Sequence, residues 1–196
     1  MSRYPLASWS PSPNFSHGRA HPPTLIVIHI TDGGPDYLHT VESFQRPENQ
    51  KSAHFVIGRN GEIAQLVDLD DRAWHDSGRN GQSIGIEHSA RTPGEFDRKW
   101  AALSEHTRKA LLPDGVGFDS PTDPGMPLTE PQLVASARLV AWLLRTYDLP
   151  IAAVVPHCSN NESSHKDCGR DVEDGGIWPW ARYRELIESL KENQND

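Results

Sequence analysis

Two histidines of this sequence stand where β-strands are expected to end. His29 lies in TLIVIHIT, residues 24–31, and His157 follows the apolar run IAAVVP. Burying an imidazole among aliphatic side chains costs free energy unless another group binds it. Either ring alone could be a core histidine bonded to a neighbour. Because a sheet can bring the ends of two strands side by side, the pair together indicates a binding site.

The loop after His157 offers further groups that bind metal ions. It reads CSNNESSHKDCG and contains His165, Asp167 and Cys168. Two imidazoles and one anionic ligand leave the fourth tetrahedral position of Zn²⁺ open, which is typical of catalytic rather than structural zinc. The chain has no compact motif such as HExxH, so the spacing alone leaves the third ligand open.

Two charged residues could act at such a site. Glu87 lies in SIGIE, within a strand predicted at residues 83–90. It is either a solvated position at the edge of the sheet or the general base that a hydrolytic site requires. Lys166 is either an ordinary surface charge or a cation that faces the oxyanion developing on an attacked carbonyl.

The elements that must position these residues alternate along the chain. Thr129 and Gln132 form a capping-box pattern that predicts a helix over 130–147. The sequence RNG, residues 59–61, separates two apolar runs and predicts a hairpin in which Asn-Gly supplies the positive φ values of the turn. Further strands are predicted at 24–30, 83–90 and 151–156, and further helices at 37–45 and 180–192. Together they predict an α/β fold, a central mixed β-sheet flanked by helices.

The sequence is expected to form one domain preceded by an arm. Residues 1–23 are rich in Pro, Ser and His and are interpreted as an extended arm on the surface, and residues 24–196 as the domain itself. Within the domain, residues 91–128 form a long insertion rich in Pro and Gly. Loops of this length in compact domains are usually functional or mobile, so we interpret the insertion as a lid over the site.

The charge balance disfavours two classes of partner. Lys and Arg number 19 against 27 Asp and Glu, a net charge of −8 with no basic block. We therefore expect neither nucleic acid nor a membrane surface as a partner. The apolar runs are too short to span a bilayer. The first residues lack the apolar stretch of a secretory signal, so we expect synthesis in the cytoplasm without a signal peptide.

Several segments follow one another in a characteristic order. They are PSPNFSHGR (11–19), LIVIHIT (25–31), SAHFVIGRNGEIAQLV (52–67), RAWHDSG (72–78), NGQSIGIE (80–87), VVPH (154–157) and KDCG (166–169). In this order they make the chain resemble the zinc-dependent N-acetylmuramoyl-L-alanine amidases. That family includes AmpD-type amidases, phage endolysins and the peptidoglycan recognition proteins. The resemblance covers nearly the whole chain apart from the insertion.

The resemblance implies a zinc site and leaves its third ligand ambiguous. His29 and His157 match the two histidine ligands of the family. Family members read K-x-C-P-G or K-x-D-P-G, whereas this chain reads KDCG without the proline. We favour Cys168, because it keeps the lysine two residues before the ligand. Asp167 is the alternative, and a disulfide between Cys158 and Cys168 would favour it.

The resemblance also implies catalytic and substrate-binding roles. Glu87 matches the glutamate that activates the attacking water, and Lys166 matches the lysine that stabilises the tetrahedral intermediate. The residues predicted to bind substrate are His54, Trp74, His75 and Asn80, although His54 is equally well explained as a structural histidine. A tyrosine found in some members is Ala53 here, which places more weight on Glu87. The histidines with no convergent partner, interpreted as surface or core residues, are His17, His21, His39, His88 and His106.

The function implied is hydrolysis of the amide bond between N-acetylmuramic acid and L-alanine in peptidoglycan, by a monomeric zinc enzyme. The PSPN arm and the K-x-C loop favour an endolysin that reaches the cell wall through holin-type release. The alternative is a cytoplasmic recycling enzyme that acts on soluble anhydro-muropeptides. A peptidoglycan-binding module without catalysis and a zinc hydrolase of another amide are the remaining readings.

Overall fold

A central sheet and three helices make up the described part of the chain. The computed structural model describes residues 3–34, 36–92, 126–160 and 177–192. The strands are β1 (Ser8–Trp9), β2 (Phe15–Ser16), β3 (Leu25–Ile30), β4 (Phe55–Ile57), β5 (Ile63–Gln65), β6 (Arg72–Ala73), β7 (Ser83–His88) and β8 (Val154–Pro156). The helices are α1 (Tyr37–Gln45), α2 (Glu130–Thr146) and α3 (Trp180–Glu192). The predicted helices at 37–45, 130–147 and 180–192 therefore agree with the structure to within one residue.

Six strands form the main sheet, in the order β1-β5-β4-β7-β3-β8. Strand β3 pairs in parallel with both β7 and β8, and β4 pairs in parallel with β7. Strands β4 and β5 pair antiparallel, as the predicted hairpin requires. The sheet is thus mixed, which confirms the predicted fold class. The smaller sheet contains β2 and β6.

The central strands are buried on both faces. Ile26, Val27 and Ile28 in β3 and Ile84 and Ile86 in β7 have no exposed surface. Strands covered on both sides are expected to read as continuous apolar runs, which is why LIVIHI contains no polar residue other than its histidine. The larger hydrophobic cluster joins one face of this sheet to α2 and α3. A smaller cluster joins the other face to α1.

Helix α2 begins at the predicted cap. The Thr129 hydroxyl accepts a hydrogen bond from the Gln132 backbone N–H. In a complete capping box the Gln132 side chain would bond back to the cap. It donates instead to the carbonyls of Ile57 and Ser89, at 3.0 and 3.3 Å. The glutamine therefore ties the helix to two strands, and the capping box is only half formed.

The hairpin between β4 and β5 closes with residues 58–62. The Gly58 N–H donates to the Glu62 carbonyl at 2.9 Å. Gly61 has a φ of 87°, and it is the one residue of the RNG sequence with positive φ. The Asn-Gly prediction therefore holds for its glycine. Asn60 instead donates from its side chain to Glu62.

The N-terminal residues contribute to the sheet. Strand β1 pairs in parallel with β5 and forms one edge. Tyr4 and Asn14 are buried, and the Asn14 side chain donates to the carbonyls of Phe44, Arg46 and Lys51. Residues predicted as a surface arm are therefore extended but partly built into the fold. The boundary between arm and domain stays a prediction.

The ends of the insertion lie side by side. Arg91 and Met126 form an antiparallel bridge with backbone hydrogen bonds of 3.0 and 2.7 Å. Residues 93–125, and with them the proposed lid, lie outside the described residues. Among the residues that are described, no helix is both long enough and apolar enough to cross a membrane.

Candidate active site

Strand register places His29 beside Glu87. The two residues are direct partners in the parallel β3–β7 pairing, so their side chains leave the same face of the sheet. His29 is buried, whereas Glu87 is half-buried. A carboxylate in this position is partly desolvated and starts from the same face of the sheet as the histidine. Both features suit a general base.

The third strand of the group brings His157 to the same place. Strand β8 pairs with β3 and ends at Pro156, and His157 begins the 3₁₀ turn that follows. The ring centroids of His29 and His157 are 4.3 Å apart. Two histidines separated by 128 residues in the sequence are thus adjacent, as their positions at strand ends predict.

His75 contacts His29 directly. Its Nδ1 lies 3.0 Å from His29 Nε2, and the two rings meet edge to face. The ring also packs against Gly85, where an added Cβ atom would overlap it. Glycine in the middle of a buried strand often marks such a close approach. Gly85 is therefore a sequence signal for a group packed onto β7, and none of the predictions rested on it.

Burial keeps two histidines of the site neutral. Burial lowers the pKa of His75 well below its ordinary value, and the neighbouring His29, His54 and His157 lower it further. Burial and the Arg19 guanidinium likewise lower the pKa of His54. The His54 Nδ1 accepts a hydrogen bond from the Gly85 N–H at 3.0 Å. That bond supports the structural interpretation of His54, and its contact with substrate stays a prediction.

Asp76 is a buried carboxylate at the site that was not among the predicted site residues. Its Oδ1 lies 3.6 Å from His157 Nε2 and accepts a hydrogen bond from the Asn160 side chain. Its Oδ2 accepts from Arg79 Nε at 2.6 Å. Asp is seldom fully buried without a partner, and its sequence position directly after a predicted site histidine was the available signal.

The other predicted substrate-binding residues border this group. Asn80 Oδ1 accepts the backbone N–H groups of His75 and Asp76, at 3.0 and 2.8 Å. The Trp74 indole donates to the Ser16 hydroxyl at 2.9 Å. These bonds fix the positions of Asn80 and Trp74 in the fold. Contact of the two residues with substrate stays a prediction.

The donor set fits part of a zinc site. Two adjacent imidazoles are zinc ligands of the usual kind, and the half-buried Glu87 supplies negative charge nearby. The described residues contain no group of three or more His, Cys, Asp or Glu that could hold a metal ion. Cys168, Asp167, His165 and Lys166 lie outside the described residues. The choice of third ligand, and the pairing of Cys158 with Cys168, therefore stay predictions.

The chain is similar to several amidases. The family model described as N-acetylmuramoyl-L-alanine amidase matches residues 19–171. N-acetylmuramoyl-L-alanine amidase A of Achromobacter lyticus is 34% identical over 87 residues, which are 43% of this chain and 48% of that protein. This chain therefore matches about half the length of that relative. The 1,6-anhydro-N-acetylmuramyl-L-alanine amidase AmpD of Escherichia coli is 26% identical over 184 residues, covering 84% of this chain and 82% of AmpD.

Solved structures show the same fold. A selenomethionine derivative of AmpD has a TM-score of 0.62 at 23% identity, with 94% of this chain and 96% of that chain covered. A mutant endolysin from Bacillus subtilis has a TM-score of 0.59 at 22% identity, with 91% and 96% covered. The family match includes β3 with His29, β7 with Glu87, and β8 with the turn that begins at His157. This chain belongs to the N-acetylmuramoyl-L-alanine amidase family.

Proposed function

We propose that this protein is a zinc-dependent hydrolase that cleaves the amide bond between the lactyl group of N-acetylmuramic acid and L-alanine in peptidoglycan. The observation that carries the proposal is the meeting of His29 and His157 beside Glu87, in a chain of the amidase family. Two imidazoles and a carboxylate at one place supply what hydrolysis of an unactivated amide requires.

His29 and His157 would hold the metal together with Cys168 or, as the alternative, Asp167. Bound zinc supplies a Lewis acid that polarises the amide carbonyl and lowers the pKa of water. A third anionic ligand from the loop after β8 is consistent with a site that keeps one position open for solvent or substrate.

Glu87 moves the proton in this mechanism. Its carboxylate takes a proton from the attacking water as the new C–O bond forms. It then returns that proton to the alanine nitrogen as the C–N bond breaks, so the products are a carboxylic acid and an amine. The Lys166 ammonium stabilises the negative charge that develops on the carbonyl oxygen. The substrate groove is formed in part by Trp74, His75 and Asn80.

The test is digestion of purified cell walls with protein whose zinc content is measured. We expect one zinc ion per chain and release of stem peptides with free L-alanine amino termini, identified by mass spectrometry. Glu87→Gln should keep the zinc and lose about 10²–10⁴-fold in rate, the usual contribution of a general base. Glu185→Gln removes an exposed carboxylate from α3 and is the matched control. Wild-type protein that contains zinc and binds muropeptides without cleaving them would instead indicate a binding module.

The size of the substrate is a separate part of the proposal. The PSPN arm and the K-x-C loop favour a lysin that acts on intact peptidoglycan in the cell wall. The match to AmpD over most of both chains favours a second candidate, a recycling enzyme for soluble anhydro-muropeptides in the cytoplasm. Comparing turnover of intact sacculi with turnover of a soluble anhydro-muropeptide decides between them. A lysin should prefer sacculi, and a recycling enzyme should leave sacculi uncut.

A further inference from the structure

One segment of the chain contacts both histidines that are predicted to bind zinc. Residues 74–83, here called the 74–83 segment, place His75 against His29 and Asp76 against His157. We propose that His75 and Asp76 are positioning residues. They hold the proton of each partner imidazole on Nε2, so that Nδ1 of both rings carries the lone pair for the metal. This inference rests on the proposed zinc site.

The proton on His29 follows from a chain of hydrogen bonds that ends at a carbonyl. The Ser83 hydroxyl donates to the Arg79 carbonyl at 2.7 Å, because a carbonyl oxygen can only accept. Ser83 Oγ therefore accepts the other bond, 3.1 Å long, from His75 Nε2. An uncharged imidazole, the ordinary form at about pH 8, then has its lone pair on Nδ1. The bond between that atom and His29 Nε2 must accordingly be donated by His29.

The proton on His157 follows from the carboxylate beside it. Asp76 accepts from Arg79 Nε and from the Asn160 side chain, so both of its oxygens act as acceptors. The His157 Nε2 lies 3.6 Å from Oδ1 of this buried group, an electrostatic contact that is longer than a hydrogen bond. A protonated Nε2 is the form that such a carboxylate stabilises. Arg79 also donates to the His157 carbonyl at 3.3 Å, which holds the backbone of the same residue.

The segment is held rigidly enough to fix these positions. Asn80 Oδ1 accepts the backbone N–H groups of both His75 and Asp76. Arg19 donates to the carbonyls of Asn80, Gly81 and Ser83 at distances from 2.9 to 3.3 Å. Neighbours of this kind set the tautomer and orientation of a metal ligand, and their loss typically weakens metal binding by about 10–100-fold.

The first test measures tautomers in metal-free wild-type protein. Nitrogen-15 NMR of histidine side chains at about pH 8, above the ordinary imidazole pKa, distinguishes rings protonated on Nε2 from rings protonated on Nδ1. We expect His29, His75 and His157 all to be protonated on Nε2. An Nδ1–H tautomer of His29 or His157 would overturn the proposal. This measurement needs neither a variant nor activity.

The second test measures zinc affinity by competition with a chelator. His75→Ala should weaken binding about 10–100-fold, and His75→Asn should recover most of it, because an amide oxygen can accept in place of Nδ1. Asp76→Asn should weaken binding to a similar extent. Asp148→Asn is the matched control, because it removes one negative charge as Asp76→Asn does. Asp148 is exposed, and its φ of 52° suits asparagine.

The outcomes separate this inference from the proposed function. Wild-type protein that binds no zinc would contradict the proposed function. Wild-type protein that binds zinc, with His75→Ala and Asp76→Asn binding it equally well, would leave the proposed function intact and overturn the roles of His75 and Asp76. A cobalt-substituted His75→Ala protein with a wild-type absorption spectrum would overturn the role of His75 in the same way.

Discussion

One face of the β3–β7 strand pair carries isoleucines and a single histidine, while the other carries the residues of the candidate site. On the first face, Ile84, Ile86 and His88 pack toward α2 and α3. On the second face lie Gly85 and Glu87, which alternate with those three residues along β7. Because successive side chains of a strand point to opposite faces, six residues of β7 serve both packing and chemistry.

The two buried histidines of this strand pair show the difference most clearly. His88 Nδ1 donates to the His29 carbonyl at 2.8 Å, and its Nε2 accepts from the Ser136 hydroxyl at 2.7 Å. Ser136 in turn accepts from the Tyr183 hydroxyl at 2.6 Å. Burial lowers the pKa of His88 to about 3, so this ring is neutral. On the core face an imidazole is bonded by hydroxyl and carbonyl groups, whereas on the site face His29 contacts other histidines.

The comparison shows that His29 is held from both sides of the sheet. Its ring is bonded to His75 on the site face, and its carbonyl is bonded to His88 on the core face. Both hydrogen-bond chains have a defined direction because each ends at a carbonyl oxygen. A buried polar network with every group satisfied is rigid and specifies one arrangement. The core network therefore fixes the backbone on which the candidate site is built.

The largest expected effect is a loss of stability at Ile86, on the core face, that is absent at the neighbouring Glu87, on the site face. Ile86→Ala should lower the free energy of unfolding by about 2–5 kcal/mol, because it leaves a cavity in the main core. Glu87→Gln, at the next position, should leave stability nearly unchanged and reduce the rate of amide hydrolysis. Urea unfolding and a cell-wall digestion assay measure the two quantities. A Glu87→Gln protein as unstable as Ile86→Ala would mean that Glu87 is part of the packing.

Gly85→Ala should damage the site face alone. The added methyl group would overlap the His75 ring, so that ring must shift. We expect a loss of about 1–3 kcal/mol in unfolding free energy and about 10–100-fold weaker zinc binding. Gly81→Ala is the matched control, since a Cβ there meets no atom within 4 Å. Equal zinc affinity in both alanine variants would show that the position of His75 does not matter to the metal.

The free energy of unfolding should depend on pH because buried histidines on the site face are neutral in the folded protein. His54 is fully buried against Arg19 and His75, and its pKa is lowered, so the unfolded chain binds more protons below about pH 6.5. Stability from this group is thus present above that pH and is lost as the pH falls. Between about pH 7.5 and about pH 5.5, the wild-type protein should lose more unfolding free energy than His54→Asn, by about 1 kcal/mol.

This comparison is made by urea unfolding in the presence of a chelator, so that metal binding does not contribute. The asparagine variant keeps an acceptor for the Gly85 N–H while removing the titrating ring. Its absolute stability is expected to be lower at both pH values, and only the difference between them tests the idea. Equal losses in the two proteins would show that His54 is not the group responsible.

The sequence predicted what local patterns determine. Helix α2 begins where Thr129 caps it. Strands β3 and β7 lie where apolar runs predicted them, and the positions of His29 and His157 at strand ends predicted that they meet. Other long-range contacts could not be predicted in this way. Strand β1 has two residues and no periodic signal, yet it pairs with β5. The Gln132 side chain donates to carbonyls next to two strands rather than to its own helix cap. The buried Asp76 accepts a hydrogen bond from Asn160, 84 residues further along the sequence.

The smallest expected loss of stability comes from Tyr183, at the end of the hydrogen-bonded series His88, Ser136 and Tyr183 on the core face. Tyr183→Phe removes the hydroxyl that donates to Ser136, while Ser136 keeps its bond to His88. Burial raises the pKa of the Tyr183 hydroxyl, so it is protonated and able to donate. We expect a loss of about 1 kcal/mol, typical of one hydrogen bond, and unchanged zinc affinity. Urea unfolding and chelator competition measure these two quantities.

Comparing Ser136→Ala with Tyr183→Phe tests whether Ser136 lies between His88 and Tyr183 in this series of hydrogen bonds. It would leave both the His88 Nε2 and the Tyr183 hydroxyl buried without their shared partner, so it should cost more than Tyr183→Phe. Because the two residues are in contact, the double variant should lose less than the sum of the single losses. If the losses were equal and strictly additive, the three groups would not act as one network. The bond from His88 to the His29 carbonyl would then not depend on Ser136 or Tyr183.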